Sequence, residues 1–159
     1  EGLAPGVAAG TLQYSIVGHS GGSPAIPLVS YDAPPANEAE RLRVLQTMAA
    51  HSQFCPSGDH TVEAAQLAMD AMAEEDADEK FVFVVSDANL ARYGIPASAL
   101  GNALASPDSD DIAGYAVMVA SFGDEASDIV AAVGPGRGFV CSDPAELVDV
   151  FREVVKSTL

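Results

Sequence analysis

The stretch Gly18-His19-Ser20-Gly21-Gly22 is the first place where side chains could do chemistry. It spells G-x-S-x-G, the pattern of a nucleophile elbow, in which a strained turn presents a catalytic serine. An elbow needs a helix directly after the serine, because the first amides of that helix help to stabilise the oxyanion. Two prolines and several β-favouring residues follow here instead. They predict the return strand of a hairpin.

A serine nucleophile also needs a base. In the elbow class the histidine comes late in the chain, after the acid, but no histidine lies beyond His60 in this sequence. We therefore interpret Ser20 as a residue of a glycine-rich turn. A hydrolase that uses Ser20, Asp87 and His60 is kept as the alternative from another functional class.

Three other segments carry hydroxyls and carboxylates close together: Ser57–Thr61, Ser86–Gly94 and Ser121–Glu125. Each is expected next to the end of a strand or the start of a helix. Sites in open parallel sheets form beyond the carboxyl ends of the strands. Carboxylate and hydroxyl oxygens as donors favour Mg²⁺, Mn²⁺ or Ca²⁺.

The elements that would position these segments alternate between strand and helix. Residues 80–87 (KFVFVVSD) do not alternate polar with apolar side chains, which is typical of a parallel strand buried on both faces. The predicted order is β-β-α-α-β-α-β-α-β-α, which indicates an α/β fold with a largely parallel sheet. The strands are expected at 11–18, 25–31, 80–87, 114–122 and 138–142, and the helices at 37–54, 61–77, 96–105, 124–133 and 143–159.

The first long predicted helix has a capping residue at its start and an apolar face. Asn37 can act as its N-cap. The apolar residues Leu42, Leu45, Met48 and Ala49 fall on one side at helical spacing. This helix is therefore expected to pack through those four residues.

Charge and composition exclude several classes of protein. The net charge of −16, from 23 acidic and only seven basic residues, repels phosphate backbones and excludes nucleic-acid binding. No apolar run approaches the length of a membrane span. The two cysteines, Cys55 and Cys141, form no zinc motif and are expected to be free thiols.

Residues 81–95 (FVFVVSDANLARYGI) and 57–69 (SGDHTVEAAQLAM) resemble two segments of the von Willebrand factor A (vWA) domain. In order along the chain, IVGHSG, RLRVLQTMAAHSQFCPSGDHT and SFGDEA resemble the form of that domain found in AAA+ ATPase proteins. The similar segments span most of residues 13–125, and the terminal helix fits as well. The resemblance implies a Rossmann-like domain with helices on both faces of its sheet.

The resemblance also implies a metal-ion-dependent adhesion site. Thr61 and Asp87 would be ligands of Mg²⁺, or of Mn²⁺ or Ca²⁺, with Ser86, Asp59 and Asn89 supporting them by hydrogen bonding. Binding is expected to be weak, because the third element of that site, D-x-S-x-S, is absent from the chain. As alternatives, Asp87 is a capping residue of a turn and Thr61 is a helix cap.

In the family, the D-x-S-x-S strand runs between the strands matched by residues 13–18 and 80–86, and its helix covers one face of the sheet. The first strand and helix are therefore expected to be missing from this chain. Residues 1–11 are interpreted as a connector and residues 12–159 as the C-terminal two-thirds of a vWA-type domain. A protein partner, or another segment of the same protein, would supply the missing strand.

The function implied by the resemblance is protein–protein interaction without catalysis, within a larger AAA+ ATPase. ATP would bind only elsewhere in that parent, because this chain contains no G-x-x-x-x-G-K-[ST] motif. The implied location is the mitochondrial matrix in a eukaryote and the cytoplasm otherwise. A metal-free structural subunit of a large assembly remains the alternative.

Overall fold

The computed structural model describes residues 4–105, 111–119, 124–143 and 145–158. The chain divides into two units, Glu1–His60 (unit 1) and Thr61–Leu159 (unit 2). Unit 1 contains α1 (Ala4–Ala9), β1 (Ile16–Ser20), β2 (Ser23–Val29) and α2 (Glu38–Phe54). Unit 2 contains α3 (Thr61–Ala73), β3 (Lys80–Ser86), a 3₁₀ helix (Ala91–Tyr93), α4 (Ala97–Leu104), β4 (Ile112–Val119), α5 (Asp124–Val133), β5 (Gly138–Cys141) and α6 (Glu146–Thr158).

Unit 1 contains the predicted hairpin. β1 and β2 pair antiparallel, from Ile16 opposite Val29 to Ser20 opposite Ser23, with two irregularities in the register. Pro27 lies inside β2, a position that a two-stranded sheet tolerates because each strand has an unpaired edge. Part of the predicted connector forms the short helix α1.

The start of α2 confirms the predicted cap. The Asn37 side chain accepts a hydrogen bond from the amide of Glu40 at 3.0 Å, and the Glu40 carboxylate accepts one from the amide of Ala36 at 2.7 Å. This reciprocal arrangement satisfies amides that have no partner inside the helix. The bond from Ala36, followed by that from the Asn37 side chain, lowers the pKa of Glu40 below its ordinary value.

Replacing Asn37 by alanine is expected to destabilise α2 by about 1 kcal/mol, because the first turn loses its capping acceptor. Hydrogen exchange at the Glu40 amide would measure the change. The contribution of Glu40 is present above its unfolded pKa and is lost as the pH falls through its lowered folded value. Thr47→Ala, in the middle of the same helix, is the control and should leave the first turn intact. Equal exchange in both variants would contradict the capping role.

The face of α2 that packs differs from the predicted one. Val44, Met48 and His51 are half-buried, whereas Leu42 and Leu45 are 54% and 61% exposed. α2 contacts β2, and the Nε2 atom of His51 lies 3.0 Å from the carbonyl oxygen of His19 in β1. This polar contact sets the orientation of α2 about its own axis. In that orientation the other residues of unit 1 do not bury Leu42 and Leu45.

The sheet of unit 2 is parallel, with strand order β3-β4-β5. β3 and β4 pair over seven residues without a break, from Lys80 opposite Ile112 to Ser86 opposite Met118. β3 therefore forms one edge of this sheet, and no described strand pairs with its other side. β1 pairs with β2 in a separate sheet.

One face of this sheet is covered by α3, α4 and α5. Val82 and Val84 of β3 point into the core, which the three helices fill with fully buried side chains such as Met69, Leu100 and Ile129. At the start of the strand the buried Lys80 places its Nζ 2.8 Å from an oxygen of Asp111, and this hydrogen bond lowers the pKa of Asp111. The α/β architecture predicted from the sequence is confirmed.

The opposite face carries an aromatic cluster, made up of Phe81, Phe83, Tyr115, Phe139 and Phe151. Phe151 of α6 meets the Phe83 ring edge-on, with 4.7 Å between the ring centroids. The prediction that β3 is buried on both faces holds only in part. On this face Phe81 and Phe83 are half-buried, and Val85 is 44% exposed.

Two parts of the predictions fall outside the described residues: the first three residues of the segment Ser121–Glu125, and Pro144 in the last predicted helix. Asp143, the predicted cap, accepts a hydrogen bond from the Ala145 amide at 2.8 Å, and α6 begins at Glu146, two residues later than predicted. Among the described helices, none combines the length and apolarity that crossing a membrane would need.

Candidate functional site

The loop after β3 is built from two consecutive side-chain turns. The Ser86 hydroxyl accepts a hydrogen bond from the Ala88 amide, and the Asp87 carboxylate accepts one from the Asn89 amide, both at 3.3 Å. Between them Ala88 has a φ of 62°, a left-handed conformation that costs an alanine roughly 1–2 kcal/mol. The buried methyl group of Ala88 lies in the core and holds that conformation. The loop therefore presents Asp87 as an exposed carboxylate on a fixed backbone.

Thr61 is the first residue of α3 and is fully buried. α3 packs against β3, which follows it after a short connection. A helix that leads back into its own strand runs opposite to that strand, so the first turn of α3 lies at the carboxyl end of β3. The structure thus brings the two predicted ligands, Thr61 and Asp87, to the same end of the sheet.

Glu125 has a role that the sequence did not reveal. Its carboxylate, in the first turn of α5, accepts a hydrogen bond from the Ala91 amide at the start of the 3₁₀ helix. This contact joins the segment after β3 to the helix that follows β4. The sequence placed Glu125 in the oxygen-rich segment Ser121–Glu125 and in the first turn of a helix, but neither signal indicated a contact with the loop after β3.

Ser20 is the last residue of β1 in unit 1, directly before the glycine turn of the hairpin. It is 5% exposed, and its hydroxyl accepts a hydrogen bond from the Gly22 amide at 3.2 Å. The Nδ1 atom of His60 lies 2.6 Å from the carbonyl oxygen of Ser20. That contact is made to the main chain. β2 follows the turn, where an elbow requires a helix.

The donors near Asp87 fit a cation in type but not in number. A carboxylate and two hydroxyls, from Asp87, Thr61 and Ser86, are hard oxygen ligands of the kind that Mg²⁺ prefers. Mg²⁺ takes about six such ligands. Among the described residues no group of three or more histidine, cysteine, aspartate or glutamate side chains could hold a metal. Within the part of the chain that the structure describes, these donors therefore form at most part of a metal site. Asp59, the other predicted supporting residue, lies in unit 1.

Both cysteines are free thiols, as the sequence predicts. Cys55 is exposed, and Cys141 is fully buried at the end of β5. Burial raises the pKa of the Cys141 thiol, which makes it a poor nucleophile near neutral pH. Cys141 is therefore a packing residue.

A comparison with known proteins finds von Willebrand factor A domain-containing protein 8 of Mus musculus, which is 38% identical to the chain over 147 residues. The matched region covers 92% of the chain but only 8% of the length of the mouse protein. No family model matches the chain, and no solved structure matches it. The identity and the parallel sheet flanked by helices together show the vWA-type fold that the sequence resemblance implied.

Proposed function

Because the chain is a vWA-type domain related to von Willebrand factor A domain-containing protein 8, we propose that it docks a protein partner and does not itself catalyse a reaction. The proposal includes a parent polypeptide with AAA+ ATPase modules, to which ATP binding would be confined. It places that parent in the mitochondrial matrix of a eukaryote, or otherwise in the cytoplasm. The parent and its location rest on the sequence resemblance alone.

One observation carries the docking proposal: Asp87 is an exposed carboxylate directly after β3, at the carboxyl end of a strand in a parallel sheet. This is the end at which open α/β sheets bind their ligands. The loop that carries Asp87 is held by its own turns and by Glu125. A site built in this way is already ordered before a partner arrives, which lowers the entropic cost of binding.

The cation belongs to the same proposal. Mg²⁺, Mn²⁺ or Ca²⁺ would be held by Asp87 and Thr61, with Ser86 and Asn89 supporting them. Such an ion would supply a positive charge to which a carboxylate of the partner could bind. The remaining oxygens would come from a D-x-S-x-S strand contributed by a partner or by another segment of the same protein. Without that strand, binding is expected only at cation concentrations on the order of millimolar.

Mn²⁺ alone is a direct probe of this site. Titrating Mn²⁺ into the 159-residue chain should broaden the amide resonances of residues 86–89 and of Thr61 before those elsewhere. Asp87→Ala should abolish that selective broadening, because Asp87 is the carboxylate proposed as a ligand. Asp143→Ala is the matched control, since Asp143 is an exposed aspartate that also accepts an amide hydrogen bond two residues ahead.

Two results would count against a specific cation site. One is equal broadening along the exposed acidic segment 74–79, which would identify the ion as a diffuse counterion. The other is selective broadening that survives Asp87→Ala. If a purified partner bound equally well in the presence of EDTA and to the Asp87→Ala variant, docking would not depend on a metal.

A metal-free structural role is the second candidate, and one observation favours it. The side chains of Ser86 and Asp87 already accept hydrogen bonds from nearby amides. These two side chains therefore stabilise the shape of the loop whether or not an ion binds. In that case Asp87→Asn, which keeps an acceptor oxygen, should preserve both stability and assembly.

A further inference from the structure

We propose that Glu125 is a positioning residue of the candidate site: its hydrogen bond to the Ala91 amide holds the loop in the conformation in which Asp87 binds a cation. The inference rests on the proposed function, because it concerns the affinity of the same site. It adds that the Glu125 side chain is needed as a hydrogen-bond acceptor, whereas its negative charge is not. Glu125 would therefore act through the main chain of the loop and not as a ligand of the ion.

Glu125 is itself held in place, because α5 is anchored in the core of unit 2. Ala126 and Ile129 of the same helix are buried and belong to the hydrophobic core cluster. Glu125 stands directly before Ala126 in the first turn of α5 and is half-buried. Its carboxylate therefore reaches the Ala91 amide from a helix that is fixed by packing.

The first half of the loop after β3 is secured only weakly by its own side chains. The hydrogen bonds that Ser86 and Asp87 accept are both 3.3 Å long, slightly longer than a typical N–H···O bond. Between them Ala88 has a left-handed conformation that is unfavourable for an alanine. Relaxation of Ala88 would rotate the preceding peptide and carry the Asp87 carboxylate with it. The buried side chain of Ala88 resists that relaxation, and so does any anchor on the residues that follow.

Two such anchors lie at Leu90 and Ala91. The Leu90 side chain is fully buried, and its carbonyl accepts hydrogen bonds from the amides of Tyr93 and Ile95 at 3.0 and 3.2 Å. The first amides of a helix have no acceptor inside it, and for Ala91 the acceptor is the Glu125 carboxylate. A hydrogen bond to an ionised acceptor is stronger than one to a neutral acceptor. This bond therefore closes the loop that begins at the end of β3.

Loss of this bond is expected to lower the affinity of the site for a cation without removing any proposed ligand. An ion binds only the molecules in which the loop has the correct conformation, so the apparent dissociation constant rises as their fraction falls. If about one molecule in ten keeps that conformation, the dissociation constant rises about tenfold. Glu125→Ala is therefore expected to weaken the binding of Mn²⁺ by about this factor.

Three variants of the 159-residue chain separate positioning from charge. Glu125→Ala removes both the acceptor and the charge, whereas Glu125→Gln removes the charge and keeps an oxygen that can accept from Ala91. Asp128→Ala removes an exposed carboxylate from the next turn of α5 and is the matched control. Mn²⁺ titrations followed by the amide signals of residues 86–89 should show the tenfold loss in Glu125→Ala alone. Both other variants should stay near the wild-type affinity, because exposed charges are screened by salt.

Relaxation of the ¹⁵N nuclei in the absence of metal gives a readout that does not depend on a cation site. In the wild type and in Glu125→Gln, the amides of residues 87–91 should have the order parameters of rigid backbone, about 0.85. In Glu125→Ala they should fall toward about 0.6, the value of flexible backbone. The amides of β3 and β4 should be unchanged in all variants, which shows that the sheet remains folded.

A different result would follow from each alternative. If Mn²⁺ has no selective effect on the wild type, the cation site is contradicted, but a loss of order confined to Glu125→Ala would still support the positioning of Asp87. Unchanged order parameters and Mn²⁺ affinity in Glu125→Ala would overturn the inference and leave the cation site intact. Equal losses in Glu125→Ala and Glu125→Gln would also overturn it, because the charge of Glu125 or its direct contact with the ion would then be responsible.

Discussion

Gly21→Ala is expected to destabilise unit 1 by about 3 kcal/mol or more, the upper range for forced overpacking. A Cβ atom at Gly21 would lie 2.0 Å from the carbonyl oxygen of Ser57 and 2.8 Å from the Cα atom of Gly58. These are main-chain atoms, so no side-chain rotation relieves the clash. The Gly21 amide also donates to the carbonyl of Pro56 at 3.2 Å, and separating the two segments would break that bond.

Gly22→Ala is the matched control in the same turn. Its Cβ atom would meet the Cγ atom of Pro56 at 3.3 Å, a contact that a small shift of a ring atom relieves. Urea unfolding followed by the amide signals of β1 and β2 would measure both variants. Equal urea midpoints for the two variants would contradict the prediction. They would show that the hairpin turn can move away from residues 57–58 without loss of stability.

Gly101→Ala is expected to destabilise unit 2 by about 1–3 kcal/mol or more. Gly101 lies in α4, where a Cβ atom would stand 2.4 Å from the carbonyl oxygen of Ala132 in α5. The two helices pack through this point, so an added methyl group would push α5 away from α4. The core around Leu100 and Ile129 would then open.

Asn102→Ala, one residue along the same helix, provides the comparison, because Asn102 is exposed. Alanine is a better helix former than asparagine, so this variant should be neutral or slightly stabilising. Thermal unfolding of both variants, followed by circular dichroism, distinguishes the two effects. If Gly101→Ala melts at the wild-type temperature, the close approach of α4 and α5 does not limit stability.

Local sequence patterns predicted the elements better than they predicted the packing. The apolar run at 80–87 identified β3, and Asn37 identified the start of α2, because propensity and capping depend on neighbouring residues. The predicted orientation of α2 about its own axis was wrong, because that orientation depends on a contact between His51 and His19, which lie 32 residues apart. The approach of Gly21 to Ser57 and of Gly101 to Ala132 escaped notice for the same reason.

For the candidate site as well, local features could be predicted from the sequence and long-range contacts could not. The position of Asp87 at the carboxyl end of β3 follows from its place in the sequence directly after that strand. The turns at Ser86 and Asp87 use local hydrogen bonds that such residues commonly form. Glu125 was missed because its partner, the Ala91 amide, is 34 residues away and carries no side-chain signature.

The hydrogen bond between Glu125 and Ala91 has a mechanical consequence. The first turn of the rigid helix α5 is hydrogen-bonded to the main chain at Ala91, only four residues beyond Asp87. A displacement of the far end of α5 would therefore also move the main chain beside the Asp87 carboxylate.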